Sequence, residues 1–251
     1  MRVQQEPAFV LHARPFSESS FVLDVFSPTH GRLGLLAKGA RRPGSRLRGL
    51  LKPFQPLLVG WSGRGELPVL TGAESDGDAA VLEGTALYCG FYLNELLIRL
   101  LHRYDPHETL YQHYRMALFS LRDASTHEAV LRIFEKHILK EVGYGLVLDR
   151  DVANNSAISA ERIYCYVVDR GPIQTPATAP SRDMDGVLVR GATLLALAGE
   201  CLERPDDLRE AKRLMRVVLA RHLGEKPLHS RRLFERIHTD ALESVATVST
   251  P

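Results

Sequence analysis

The apolar pattern of the chain changes period once, near Asp78, and that change limits the fold more than any other feature. Before it, apolar residues fall in short runs separated by turn residues. After it, they recur at helical spacing. FVLHAR (9–14), SFVLDVF (20–26), RLGLLAKG (32–39), FQPLLVGW (54–61) and ELPVLTGAE (66–74) read as five strands. Within the second, Phe21, Leu23 and Val25 alternate onto one face. Residues 28–31 (PTHG) and 62–65 (SGRG) supply turns, and Pro56 and Pro68 fit strand starts, edges or bulges. Five short strands without a long helix predict a small barrel. An OB-fold, a five-stranded Greek-key barrel that binds oligonucleotides, leads; an SH3-like barrel is its near competitor, and strand count alone separates them poorly.

From Ala79 onward the spacing predicts helices. Leu87, Phe91, Leu97 and Leu101 fall near one stripe of a segment ending about His102, and Asp105-Pro106 breaks it. A second helix is expected over 107–122 and a third over 128–142, where Val130, Phe134, Ile138 and Val142 repeat every fourth residue and Gly143 can cap the end. Residues 149–186 interrupt this pattern with a polar start, one strand (IYCYVVD, 163–169) and a proline-rich, loop-like run, PIQTPATAPSRDMDG. Helical spacing returns at 190–203, 206–223 and 229–243. The expected class is α+β: an OB-fold barrel over 1–78, then a helical domain over 79–251 with a small irregular insert at 149–186.

Net charge is only +2, but it is unevenly placed. No Asp or Glu occurs between Asp24 and Glu66, whereas that gap holds Arg32, Lys38, Arg41, Arg42, Arg46, Arg48, Lys52 and Arg64. Six of the eight lie in AKGARRPGSRLRGLLKPF (37–54). A charge run is usually a solvated loop. Here no acid is interleaved over some forty residues, and such self-repulsion costs stability unless a polyanion relieves it. On a candidate OB barrel the pattern points to nucleic acid, with Lys and Arg on phosphates. Phe54 and Trp61 are candidate stacking faces for unpaired bases, although barrel core is the more natural place for each.

Other chemistries find little support. Gly39 and Gly44-Ser45 copy the glycine spacing of a P-loop, but the required Lys is missing and Pro43 removes an N–H, so nucleotide hydrolysis is rejected. Cys89, Cys165 and Cys201 form no C-x-x-C pair, and the ten histidines match no zinc spacing, so no metal and no cofactor are expected. The absence of a disulfide framework fits a reducing cytosol. The start, MRVQQEPAF, lacks a signal-peptide core, and the most apolar stretch, 86–101, carries Asn94, Glu95 and Arg99, so no membrane association is expected. Glu95 and Arg99, four apart, are expected to pair. Arg132 and Lys136, also four apart and beside Ile133 and Phe134, could rim a groove for an acidic peptide ending in an apolar residue and a carboxylate. The plainer alternative is a solvated helix face balanced by Glu128, Glu135 and Glu141.

The ordered series RPFSESS (14–20), HGRLGLLAKGARR (30–42), LLKPFQPLLVGWSGRGEL (50–67), YLNELLIRLL (92–101) and SRRLFERI (230–237) resembles the RecO family of bacterial DNA repair and recombination mediators along nearly the whole chain. The resemblance implies an N-terminal OB-fold joined to a helical domain. It implies binding of single- and double-stranded DNA, annealing of complementary strands, and action with RecR, and in some systems RecF, to load RecA onto DNA coated by single-stranded DNA-binding protein (SSB). It also implies recognition of the acidic SSB tail, and a cytoplasmic, nucleoid-associated setting. Family DNA binding carries over to Lys38, Arg41 and Arg42 most firmly and to Arg32 less so; Arg46 and Arg48 rest on charge alone. The SSB tail is assigned to the region of Arg132 and Lys136. Many family members carry a four-cysteine zinc module between helical segments. Here 149–186 holds only Cys165 and no His, so no zinc is expected there.

Two other readings compete with a non-enzymatic mediator. A structural RNA-binding OB protein would use the same basic run. An enzyme acting on nucleic acid would need a metal-binding carboxylate cluster near the basic face, which the acid-free gap disfavours.

Overall fold

The structure is a computed structural model that describes residues 2–175, 186–224 and 228–230. Strands β1 (Arg2–Phe16), β2 (Ser20–Ser27), β3 (Gly31–Ala37), β4 (Pro56–Ser62) and β5 (Val69–Ser75) close into a barrel in the order β1-β2-β3-β5-β4. This closed order is the OB-fold that the sequence favours over its SH3-like competitor. Neighbours are antiparallel except β3 and β5, which run parallel and meet at Leu36 and Val69. A short helix, α1 (Arg46–Leu50), lies in the connection between β3 and β4, where the sequence reads as loop. At five residues it is too short for periodicity to reveal.

Val10, Leu23, Val25, Leu33, Leu35, Leu57, Val59 and Trp61 fill the barrel interior. β1 is buried on its other face as well. Phe9 of β1 and Phe26 of β2 meet Tyr111 and Tyr114 of α3 (Glu108–Ser120), with ring centroids 5.1 to 6.2 Å apart. Asn94, buried on α2 (Gly84–Leu100), donates from Nδ2 to the Leu11 carbonyl at 2.8 Å and accepts from the Tyr114 hydroxyl. Burial on both faces is why the sequence here is a continuous apolar run and not an alternation. The β1–β2 register slips between Val10 and His12, so a bulge sits where the Leu11 carbonyl turns to Asn94.

Packing divides the chain into two compact units. One is Met1–Ala124, joined by the described residues 228–230; the other is Ser125–Glu225. In the second, α4 (His127–Glu141) packs on α6 (Pro205–Leu223), and α6 also packs on α5 (Gly191–Ala198). α6 has clear end signals: Pro205 at its start, Asp206 and Asp207 in the first turn, Arg221 and His222 in the last, and Gly224 at φ +70° beyond it. The insert's β6 (Ile163–Val167) and β7 (Gly171–Gln174) form a three-stranded antiparallel sheet, in the order β7-β6-β8, with β8 (Val187–Arg190) just beyond it. Pro172, Ile173 and Gln174, loop-like in the sequence, thus pair in β7 with Tyr166, Cys165 and Tyr164. Buried Asp151 fastens the insert by accepting from the backbone N–H groups of Ala153 and Gln174, at 2.8 and 3.0 Å. The helix expected over 190–203 ends at Ala198, and the one expected over 229–243 lies, beyond Ser230, outside the described residues.

Candidate nucleic-acid interface

The β3–β4 connection has two sides of opposite character. Ala40, Leu51 and Phe54 are buried, and Leu47 and Leu50 pack against the barrel core. These apolar residues hold the connection, with α1 inside it, against the barrel. Phe54 fixes its exit with backbone φ +65° and its ring 5.1 Å from Phe91 of α2. The residues between them point the other way: Lys38, Arg42, Arg46, Arg48 and Lys52 are all exposed. Among the described residues none of these five forms an ion pair. Apolar anchoring on one side leaves the charges on the other free to face solvent.

Arg41 joins this surface to the β1–β2 turn. Its Nη1 donates to the Ser17 carbonyl at 2.8 Å, and its backbone N–H to the Ser19 carbonyl at 2.9 Å. Its guanidinium carbon lies 6.0 Å from the centre of the Phe21 ring. Lys38, Arg41, Arg42, Arg46 and Arg48 therefore share one connection. Arg32 does not belong to it. It sits near the start of β3, about 20 Å of strand from Lys38. Its Nε donates to the Leu101 carbonyl at 3.2 Å and its Nη1 lies 3.7 Å from Asp24. Burial lowers the Arg32 pKa from its ordinary value against the pull of Asp24.

Phe54 and Trp61 are 5% and 3% exposed, so both are core and neither offers a face to a base. Phe16, at the end of β1, is an exposed aromatic beside this connection, and hydrophobic periodicity does not single it out.

In the second unit, Arg132 and Lys136 have internal partners. Arg132 is buried and pairs with fully buried Glu135 at 2.8 Å. Lys136 Nζ donates to the carbonyls of Leu197 and Ala198, both at 3.1 Å, and to Glu200 at 2.7 Å. Glu95, expected to pair with Arg99, accepts from the backbone N–H groups of His229 and Ser230 and from the Ser230 hydroxyl. Among the described residues no group of three His, Cys, Asp or Glu is placed to hold a metal ion, and no helix is long and apolar enough to cross a membrane.

Comparison with known proteins agrees with this arrangement. The family model described as Recombination protein O N terminal matches residues 1–76, and that described as Recombination protein O C terminal matches 82–232. The chain is 48% identical over 237 residues to the DNA repair protein RecO of Nitrosococcus oceani, covering 94% of this chain and 95% of that one. It is 46% identical over 232 residues to the DNA repair protein RecO of Coxiella burnetii, covering 92% and 98%. The Alkalilimnicola ehrlichii protein of the same name is 48% identical over 237 residues, covering 94% and 92%. With both family models matched in order and relatives aligned over nearly their whole length, the chain belongs to the RecO family of bacterial DNA repair proteins.

Proposed function

We propose that the protein is a non-enzymatic recombination mediator that holds DNA by its phosphates on the β3–β4 connection. The observation that carries this reading is the set of exposed cations without ion-pair partners on a connection whose apolar side is locked into the barrel. Phosphate contacts supply most of the affinity and no sequence information, which suits a protein that must act on any strand. Neutralising two backbones lowers the charge repulsion that opposes their pairing, so the same surface supports annealing. With RecR, and with RecF where a system uses it, such a protein would help load RecA onto SSB-coated single strands in the cytoplasm. The SSB tail remains the implied recruiting partner. Arg132 and Lys136 give that contact little support, since both are engaged internally.

Fluorescence anisotropy with labelled single-stranded DNA across a salt series tests the DNA surface. About six phosphate contacts predict a log–log slope near roughly −4. Changing Lys38, Arg41 and Arg42 together to Glu should abolish binding; unchanged binding in the folded variant would move the DNA site elsewhere. A strand-annealing assay without nucleotide tests the mediator role, and failure on both naked and SSB-coated strands would sink it.

A further inference from the structure

We infer that Phe16 is a stacking platform for an unpaired base, making the β1–β2 turn the part of the interface that distinguishes single strands from duplex. This rests on the DNA-binding reading above and adds to it the chemistry of the ligand. Phe16 is 50% exposed although its neighbours in β1 and β2 belong to a barrel that buries nearly every other aromatic ring. Its position follows from register. Phe16 pairs with Ser20, and Pro15 with Phe21; Phe21 in turn pairs with Ala37, which faces the barrel interior. Side chains alternate along a strand, so Phe16 points away from the interior and onto the same face as Arg14, two residues earlier, which is also exposed. Continuing the β2–β3 register one residue past Phe21 and Ala37 sets Lys38 beside Ser20. Phe16, Ser20 and Lys38 then form a row across three strands, with Phe16 and Lys38 about 10 Å apart by strand spacing.

The turn that presents Phe16 is held in place. Ser17 adopts φ +49°, and its carbonyl accepts from Arg41. The Ser19 carbonyl accepts from the Arg41 backbone. An aromatic ring beside Arg14 and Lys38, tied through Arg41 to the cationic connection, pairs a π-face with phosphate-binding charge. That combination fits single-stranded nucleic acid, whose bases are free to stack, better than duplex, whose bases already stack on one another. A protein or lipid partner would be expected to want a wider apolar patch than one ring rimmed by cations.

The test compares wild type, Phe16→Ala and Phe16→Trp, each confirmed folded by circular dichroism, on a fluorescein-labelled oligothymidylate and on the matching duplex. Loss of one stacked base should weaken single-strand binding about five- to a hundredfold in F16A. Duplex binding should change less than about twofold, and the salt slope should not change, because stacking releases no counterions. F16W should bind single strands as well as wild type, and its emission should be quenched by the oligonucleotide; the native Trp61, 3% exposed, supplies only a constant background. If wild type binds with a steep salt slope but F16A binds like wild type, or loses single strand and duplex equally, the inference is overturned and the DNA reading stands. If wild type binds neither probe, both fall.

Discussion

The ring of Phe54 rests on α2 at the one place where Gly90 leaves room for it: a Cβ on Gly90 would lie 2.8 Å from Phe54 Cζ and equally close to Leu82 Cδ1. Gly90→Ala should therefore cost about 1–3 kcal/mol through overpacking. Equilibrium urea unfolding reads this as a lower midpoint. Because Phe54 fixes the exit of the β3–β4 connection, the variant should also bind DNA more weakly at unchanged salt slope. A midpoint equal to wild type would show that the contact yields without strain.

The Leu11–Asn94–Tyr114 chain joins the bulge in β1 to α2 and α3. Tyr114→Phe keeps the ring against Phe9 but removes the donor to Asn94, leaving a buried amide oxygen one partner short. A loss of about 1–3 kcal/mol is expected. Asn94→Ala strips partners from the Leu11 carbonyl and the Tyr114 hydroxyl together and should cost more; a smaller loss in that variant would contradict the network.

Stability should fall at both ends of the pH scale, for identifiable reasons. Burial disfavours the charged Glu6 carboxylate, but hydrogen bonds from Ser27, Thr29 and His30 outweigh it and hold its pKa below the ordinary value. A lowered native pKa stabilises above the unfolded value and is lost as pH falls through the native one, so this contribution begins to decline below the unfolded carboxyl value of about 4.3. Burial raises the pKa of Tyr111 and Tyr114 above the ordinary phenol value. Their contribution is full below about pH 10 and declines as pH rises beyond it, where the unfolded phenols ionise first. Urea midpoints across pH should show Glu6→Gln with a flatter acid limb and Tyr114→Phe with a flatter alkaline limb. Wild-type slopes in either variant would assign the loss to other groups.

Arg132 and Glu135 form a buried pair one helical turn apart on α4. Arg132→Ala removes one partner and leaves a carboxylate in the interior, at a cost of about 3–5 kcal/mol. Thermal unfolding should register that as a large drop in midpoint. A folded Arg132→Ala protein of unchanged midpoint would return Arg132 to the candidates for an acidic-peptide contact.

The barrel and the basic surface are legible in the sequence to different depths. The strands announce themselves through Leu23, Val25, Leu33 and Leu57, because alternation and turn residues are local properties. The cationic run is equally plain, because acids are absent from it. What anchors that run is not. Leu47, Leu50 and Leu51 look like any apolar residues in a loop, and only the barrel beneath them makes them a seat. Arg132 and Lys136 read as a basic helix face because their partners Glu135, Leu197 and Glu200 include residues more than sixty positions away. Phe16 lies within the run RPFSESS but escapes notice as a binding residue, because one aromatic beside a proline has no periodicity; its exposure is decided by the register of β1 against β2.

The β3–β4 connection interleaves two independent scripts in one stretch of chain. Ala40, Leu51 and Phe54 spell out the fold, and Lys38, Arg42, Arg46, Arg48 and Lys52 spell out the charge. The second set is exposed and lies outside the barrel core, so a lineage can raise or lower its grip on a polyanion one residue at a time without renegotiating the barrel.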